Sequence, residues 1–428
     1  MTTEVAILNK EAVALAADSA VTVRMPNGDK IYNSANKLFE LSKFHPVGIM
    51  IYGNAQLTGV PWETLIKIYR EKLGNKSFPK LLDYCNDFIS FLKQNTSLFP
   101  ERDQINYIRG VVSSAFEEIR DAIHDKVIAV FEKNEKLSKL ETEEIIESAI
   151  QNYYEELEKL EMLPSFSKAS AIDFKRKYKP IFDELMDEVF DELPLRRTNK
   201  NKLLKISLDL FVKDHFSPLA SGIAISGFGE EEVFPLLYAY QIEFVIGDQL
   251  KYAKQDNKSF EGGPYPAIVP FAQEDMIYAF IEGIDRRVEG LSLVTLVQIL
   301  DNYSEAIFEK AKDILSIDES NISKLNNELK GLDKQLMEKY HEEMINYRNK
   351  LHVAPLLTTV SFLPKDELGA MAEALVNLTS LKRRVTTDSE TVGGPTDVAV
   401  ISKGDGFIWM ARKHYFRAEL NRNFFNRG

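Results

Sequence analysis

The chain opens Met1-Thr2-Thr3-Glu4, and Thr2 has the most chemistry available to it. Removal of Met1 is expected before so small a residue, and it leaves Thr2 with a free α-amine beside its own hydroxyl. One residue then holds both nucleophile and base. An α-amine has an ordinary pKa of about 7.7–8.0, so a substantial fraction is neutral at cellular pH and can accept the hydroxyl proton, directly or through water. A neighbouring cation lowers that pKa further by opposing protonation. Other reactive groups offer less. The single Cys85 excludes an internal disulfide and a cysteine-based zinc cluster, and the six histidines show no paired metal-ligand spacing. Gly227-Phe228-Gly229 matches half a dinucleotide fingerprint, but the third glycine is absent and Glu230-Glu231-Glu232 would repel phosphate.

The elements that must position Thr2 begin at once. Glu4 to Leu8 and Ala12 to Ala17 are short apolar runs around the polar turn Asn9-Lys10-Glu11, which reads as a β-hairpin. The turn Met25 to Asp29, the strands around Ile31 and Leu38, and the apolar segment Val47 to Tyr52 ending at Gly53 follow. Residues 3–60 are expected to make one sheet. From Pro61 to Phe216 the period becomes helical, with Trp62, Leu65, Ile66, Tyr69 and Leu73 on one face and a long charged helix expected over Glu132 to Met162. Strand patterns return at Ser221 to Gly227 and Leu236 to Phe244, and helical ones from Glu274 to Leu351, where Ile314 to Leu351 reads as a charged helical hairpin. A helix over Lys365 to Arg384 and strands over Asp397 to Ser402 and Gly406 to Met410 close the chain. Two sheets between helical layers would satisfy this order, because each sheet then buries both faces.

Thr2-Thr3-Glu4-Val5-Ala6-Ile7 and then Val13 to Thr22, at a spacing from Thr2 that needs no gap, resemble the opening hairpin of the threonine-type N-terminal-nucleophile (Ntn) hydrolases, the proteasome β-subunits and HslV-type peptidases. The resemblance implies Thr2 as nucleophile, Asp18 as the acid that orients a lysine, and Ala20 and Thr22 on a strand whose backbone pairs with substrate. The family's lysine precedes an apolar pair, a segment matched by Asn36-Lys37-Leu38-Phe39, so Lys37 is the candidate and Lys30, across a three-residue insertion, the weaker competitor. Gly53-Asn54-Ala55-Gln56 is similar to the turn whose N–H forms the oxyanion hole, and glycine lets backbone approach a tetrahedral intermediate closely. Asp388-Ser389-Glu390-Thr391-Val392-Gly393-Gly394 resembles the family's aspartate, hydroxyl and paired-glycine segment, with Asp388 or Glu390 as supporting acid and Thr391 as the hydroxyl near the α-amine. The family's glycine-serine turn before a helix has no equivalent here; Gln273, in Pro270 to Glu274, is the nearest polar substitute.

The fold implied is α+β, a four-layer αββα sandwich of two antiparallel sheets. It would form a single interrupted domain over 2–428, with core strands in about 2–60, 220–270 and 385–412 and helical insertions near 110–215 and 300–355. The activity implied is threonine-type cleavage of peptide bonds with no cofactor and no metal. A homo-oligomer is a possible assembly, and an ATP-dependent unfoldase would be a separate chain, since no Gly-rich Walker loop is present. A catalytically silent partner-binding protein and a small-molecule amidase are the alternatives. With 53 Lys and Arg against 65 Asp and Glu, a net charge of −12, no global basic field draws in nucleic acid or an anionic membrane. The lone cysteine, the absence of a long apolar run and the polar N-terminus lead us to expect a cytoplasmic protein.

Overall fold

The computed structural model describes residues 3–23, 30–134, 138–315, 319–386 and 393–421. Strands β1 (Thr3–Leu8) and β2 (Ala12–Ala17) pair antiparallel, and the turn between them is made by Asn9, whose side-chain oxygen accepts from the N–H of Glu11 and Ala12. A two-stranded ribbon follows, β3 (Val21–Val23) with β4 (Lys30–Tyr32). Next come β5 (Leu38–Glu40), β6 (Val47–Gly53) and the short pair β7 (Gln56–Leu57) and β8 (Val60–Pro61). Six helices succeed them: α1 (Trp62–Leu73), α2 (Leu81–Gln94), α3 (Glu101–Asn134), α4 (Lys139–Glu158), α5 (Lys168–Val189) and α6 (Arg197–Val212). Then follow β9 (Ser221–Gly227), β10 (Leu236–Ile246), β11 (Gln249–Lys254) and β12 (Ala267–Ala272). The chain continues through α7 (Asp275–Glu282), α8 (Arg286–Leu315), α9 (Glu319–Arg348), a π-helical turn, α10 (Ala354–Val360) and α11 (Lys365–Val385), then β13 (Asp397–Ser402) and β14 (Gly406–Ala411).

The protein is α+β, with two five-stranded sheets in the orders β12-β1-β2-β13-β14 and β11-β10-β9-β6-β5. It divides into two compact units: the described residues of 1–35, 262–400 and 408–428, and those of 36–261 and 401–407. The strands of residues 3–60 therefore do not share one sheet, as their pattern suggested. A period of two marks a strand without naming its partner, and β6 finds its partner in β9, from Val47 opposite Gly227 to Gly53 opposite Ser221. Glycine permits that approach, because a Cβ on Gly222 would lie 1.9 Å from the ring of Tyr52.

In the first unit Val5, Ile7, Ala14 and Ala16 pack with Leu368, Ala372, Leu375 and Val376 of α11 and Ile277 of α7. Helix α11 seats closely because Gly369 faces Met410, whose Sδ would lie 2.1 Å from any added Cβ. In the second unit Ile49, Ile51, Ile223 and Ile225 meet Trp62, Leu65 and Tyr69 of α1 and Tyr84 and Phe88 of α2. Helices α3 to α6 build a further core around Phe116, Ile150, Phe182, Leu203 and Phe211, which Phe244 of β10 joins.

Two helix boundaries differ from expectation. The stretch 132–162 is not one helix: α3 ends at Asn134 and α4 begins after Ser138, whose hydroxyl accepts from the Glu141 N–H while Glu141 accepts from the Ser138 N–H. Ser138-Lys139-Leu140-Glu141 is a capping box, a start signal that the surrounding charge run obscured. The segment 314–351 is not a hairpin either. It is mostly the single helix α9, and the hairpin is α8 with α9, joined where Ser304 donates to Asp333 and Arg348 to Glu289. Among the described residues no helix is long and apolar enough to cross a membrane.

A buried ion pair fastens the α3–α6 bundle to its sheet. The register of β10 against β11 shifts between Ile242 and Phe244, and Glu243 at that irregularity reaches the Lys251 Nζ at 2.7 Å. The ammonium also donates to the carbonyls of Leu210 and His215, while Glu243 accepts from the Tyr107 hydroxyl and the Ser217 N–H. Burial pulls the Lys251 pKa below its ordinary value, with Glu243 opposing. Lys251→Met is expected to destabilise the protein by about 3–5 kcal/mol, because it leaves a buried carboxylate without its counter-charge. Adding Glu243→Gln should restore part of that loss, since the amide oxygen still accepts from Tyr107 and Ser217. Urea denaturation followed by tryptophan fluorescence tests both; equal midpoints for wild type and Lys251→Met would mean the pair adds nothing.

Candidate active site

The described part of the candidate site gathers around Asp18. This residue ends the β1–β2 hairpin, and its N–H donates to the Thr3 carbonyl at 3.1 Å. Its buried carboxylate collects three backbone donors: Thr3 N–H on Oδ1 at 3.0 Å, and Ala20 and Gly393 N–H on Oδ2 at 3.1 and 3.0 Å. Three backbone amides, from three separate stretches of chain, thus converge on one side chain. The bond from Thr3 fixes the residue that directly follows Thr2, and the bond from Gly393 spans 375 positions of sequence.

The neighbouring turn is built for that contact. Ser19 N–H donates to the Gly393 carbonyl at 3.1 Å, the Ser19 hydroxyl donates to Pro395, and Ala35 N–H donates to Ser19 at 3.0 Å. Gly394 has φ +77°, and a Cβ there would lie 2.7 Å from the Cβ of Asn33, so only glycine fits. The paired glycines thus do more than turn the chain, because one of them delivers its N–H to Asp18. Ser19 and Asn33 were not singled out from sequence; nothing in their local pattern signals a partner more than 350 residues away.

At the other side of β1, Thr3 stands opposite Ala272 at the end of β12. Ala272 has φ +59°, a left-handed conformation that costs a non-glycine residue about 1–3 kcal/mol. Gln273 follows it, buried, before α7 begins. The register therefore carries this glutamine to the strand end next to Thr3. Glu4 on β1 is also buried, a carboxylate two residues after Thr2 whose strand pattern gives no sign of a further role.

Thr22 sits on β3 opposite Ile31, and its Oγ1 is buried with no hydrogen-bond partner among the described residues. Within the sheets described, β3 pairs with β4 alone, which leaves its second edge without a strand partner. Lys30 lies on β4 opposite Val23 and is exposed. Thr2, Asp388, Glu390 and Thr391 lie outside the described residues.

Lys37 and Gly53 belong to the second unit. Lys37 is buried directly before β5, and its carbonyl accepts from Ile51 N–H at 2.8 Å. Gly53 ends β6 with φ +78°, where a Cβ would meet the Ala220 carbonyl at 2.9 Å. The turn after it is held by Ser221, whose hydroxyl donates to the Asn54 carbonyl and accepts from the Trp62 indole N–H at 2.8 Å. A glycine in this conformation on a pinned turn presents backbone at a fixed position, as an oxyanion donor requires.

No family model and no curated protein matches this chain. The side-chain chemistry narrows the choice from within. Cys85 is buried on α2, and burial pushes its thiol well above the usual range, so it supplies no thiolate. His215 at the α6 exit has its pKa drawn down by burial, and it lies with Lys251 in the second unit.

Proposed function

We propose that the chain is a proteasome-like threonine hydrolase of the Ntn class that cleaves amide bonds in peptides, with Thr2 as nucleophile after removal of Met1. The observation that carries this reading is the Asp18 carboxylate, which ties the residue after Thr2, the following strand and the glycine pair to one acceptor. Two five-stranded sheets, each packed on helices of its own unit, are the parts a four-layer αββα sandwich needs.

In the proposed reaction the Thr2 hydroxyl attacks the carbonyl carbon as the α-amine takes its proton. The tetrahedral oxyanion would be held by a backbone N–H, for which Gly53 is the candidate by resemblance. The amine returns the proton to the leaving nitrogen, and water then releases the acyl group from Thr2. A lysine, for which Lys37 is the candidate by resemblance, would keep the α-amine neutral by opposing its protonation. Asp388 or Glu390, with Thr391, would support the amine, and Gln273 would take the place of the missing serine. The edge of β3 that no described strand covers, with Ala20 and Thr22 beside it, suits an extended peptide that adds as a strand. Delivery of folded substrates would need a separate ATP-dependent unfoldase.

The test is covalent. A peptide epoxyketone closes a ring only with a hydroxyl and an α-amine on the same residue, so the purified protein should start at Thr2 and carry one adduct on its N-terminal peptide. Intact mass and peptide mapping read both. Retention of Met1 in every molecule, or an adduct elsewhere, would overturn the assignment.

A further inference from the structure

Helix α8 carries more apolar surface than a solvated helix has use for. From Val288 to Leu300 its only charged residue is Glu289, and that carboxylate is already paired with Arg348 of α9. A half-buried stripe of Leu293, Leu296, Leu300 and Ser304, spaced three and four apart, runs along the side where Ser304 meets Asp333 of α9. The opposite side is also apolar: Val288, Leu291 and Ile299 are 59%, 68% and 56% exposed. They share a face, since Leu291 follows Val288 by three residues and Ile299 follows it by eleven, close to three full turns. A helix apolar on both sides is ordinarily covered on both.

We propose that this outer face is covered by the same face of a second copy, the two α8 helices lying antiparallel about a two-fold axis at Thr295. The residue order is self-complementary about that point. Leu291 lies four residues before Thr295 and Ile299 four after it, so each leucine meets the partner's isoleucine across the axis. Thr295 itself is small enough to let the helices approach, and Val288 closes each end over the partner's Asn302. The charges agree with this register. Arg287 of one helix and Glu305 of the other fall on the same side at adjacent levels, while Glu289 is turned to Arg348 and does not oppose the partner's Asp301. Val288, Leu291, Ile299 and Tyr303, each more than half exposed, share this side and expose on the order of 450 Å², the apolar centre of a face whose standard size is ~800 Å². Identical patches meeting about a two-fold axis give a closed dimer.

Sedimentation of the full chain over a range of micromolar concentrations should show a dimer. Leu291→Glu and Ile299→Lys should each raise its Kd at least ~30-fold. Both sites are exposed, so the circular dichroism should be unchanged. Placed together in one chain, the two substitutions set opposite charges face to face only in the antiparallel register, and the dimer should return. Thr295→Cys should cross-link on mild oxidation, since the other cysteine is buried. A monomer at all concentrations, a dimer indifferent to both single substitutions, or a double variant that stays monomeric with no cross-link at position 295 would each overturn the proposal.

Discussion

Thr2→Ala should abolish hydrolysis and leave the fold in place. In the proposed chemistry the hydroxyl is the attacking group, and the neighbouring Thr3 cannot replace it because its nitrogen is a peptide amide and not a free α-amine. Loss of a nucleophile that acts in concert with its base costs a factor of at least ~10³ in turnover. The fold should survive because β1 is secured from Thr3 onward, paired with β2 on one side and β12 on the other. Thr2→Ser keeps a hydroxyl and an α-amine on the same residue and should retain part of the activity. The measurement is steady-state cleavage of a fluorogenic peptide, with circular dichroism as the control for folding. Undiminished turnover in the alanine variant, once contaminating proteases are excluded, would place the chemistry elsewhere.

Asp18→Asn should damage both stability and activity. The carboxylate accepts three buried backbone N–H groups divided between its two oxygens. An amide has one oxygen and one NH₂, so in either orientation the NH₂ faces a backbone donor. Orienting the oxygen toward Ala20 and Gly393 abandons Thr3, and the reverse abandons two donors instead of one. Each buried donor left unpaired costs about 1–3 kcal/mol. We therefore expect a loss of roughly 3 kcal/mol, read as a lower Tm. Activity should fall by about 10² or more, because Thr3 and with it Thr2 lose their fixed position. The split between the two readouts is informative. A variant with wild-type Tm and wild-type turnover would show that Asp18 neither holds the hairpin end nor serves the site, whereas a lower Tm with full turnover would leave it a purely structural residue.

The local elements of this protein were legible from residue order alone. The β1–β2 hairpin around Asn9, the amphipathic α1, the span of α11 and the closing pair β13 and β14 follow from periods and turn residues that act within a few positions. Glycines at 53, 393 and 394 were marked only by resemblance to the Ntn segments, and positive φ at 53 and 394 gives the physical reason for two of them. The boundary at Ser138 was written in a capping box, yet a run of Glu and Lys with helical spacing on both sides masked it. What residue order could not supply was partnership. Strand β6 pairs with β9 across more than 150 residues, Gly393 donates to Asp18 across 375, and Glu243 turns inward to Lys251 only because the ladder is irregular there. An antiparallel strand exposes the same donors and acceptors to any partner, and a buried carboxylate takes whichever N–H groups the packed chain brings to it. Those choices are made by the burial of side chains far apart in sequence, so only the tertiary structure decides them.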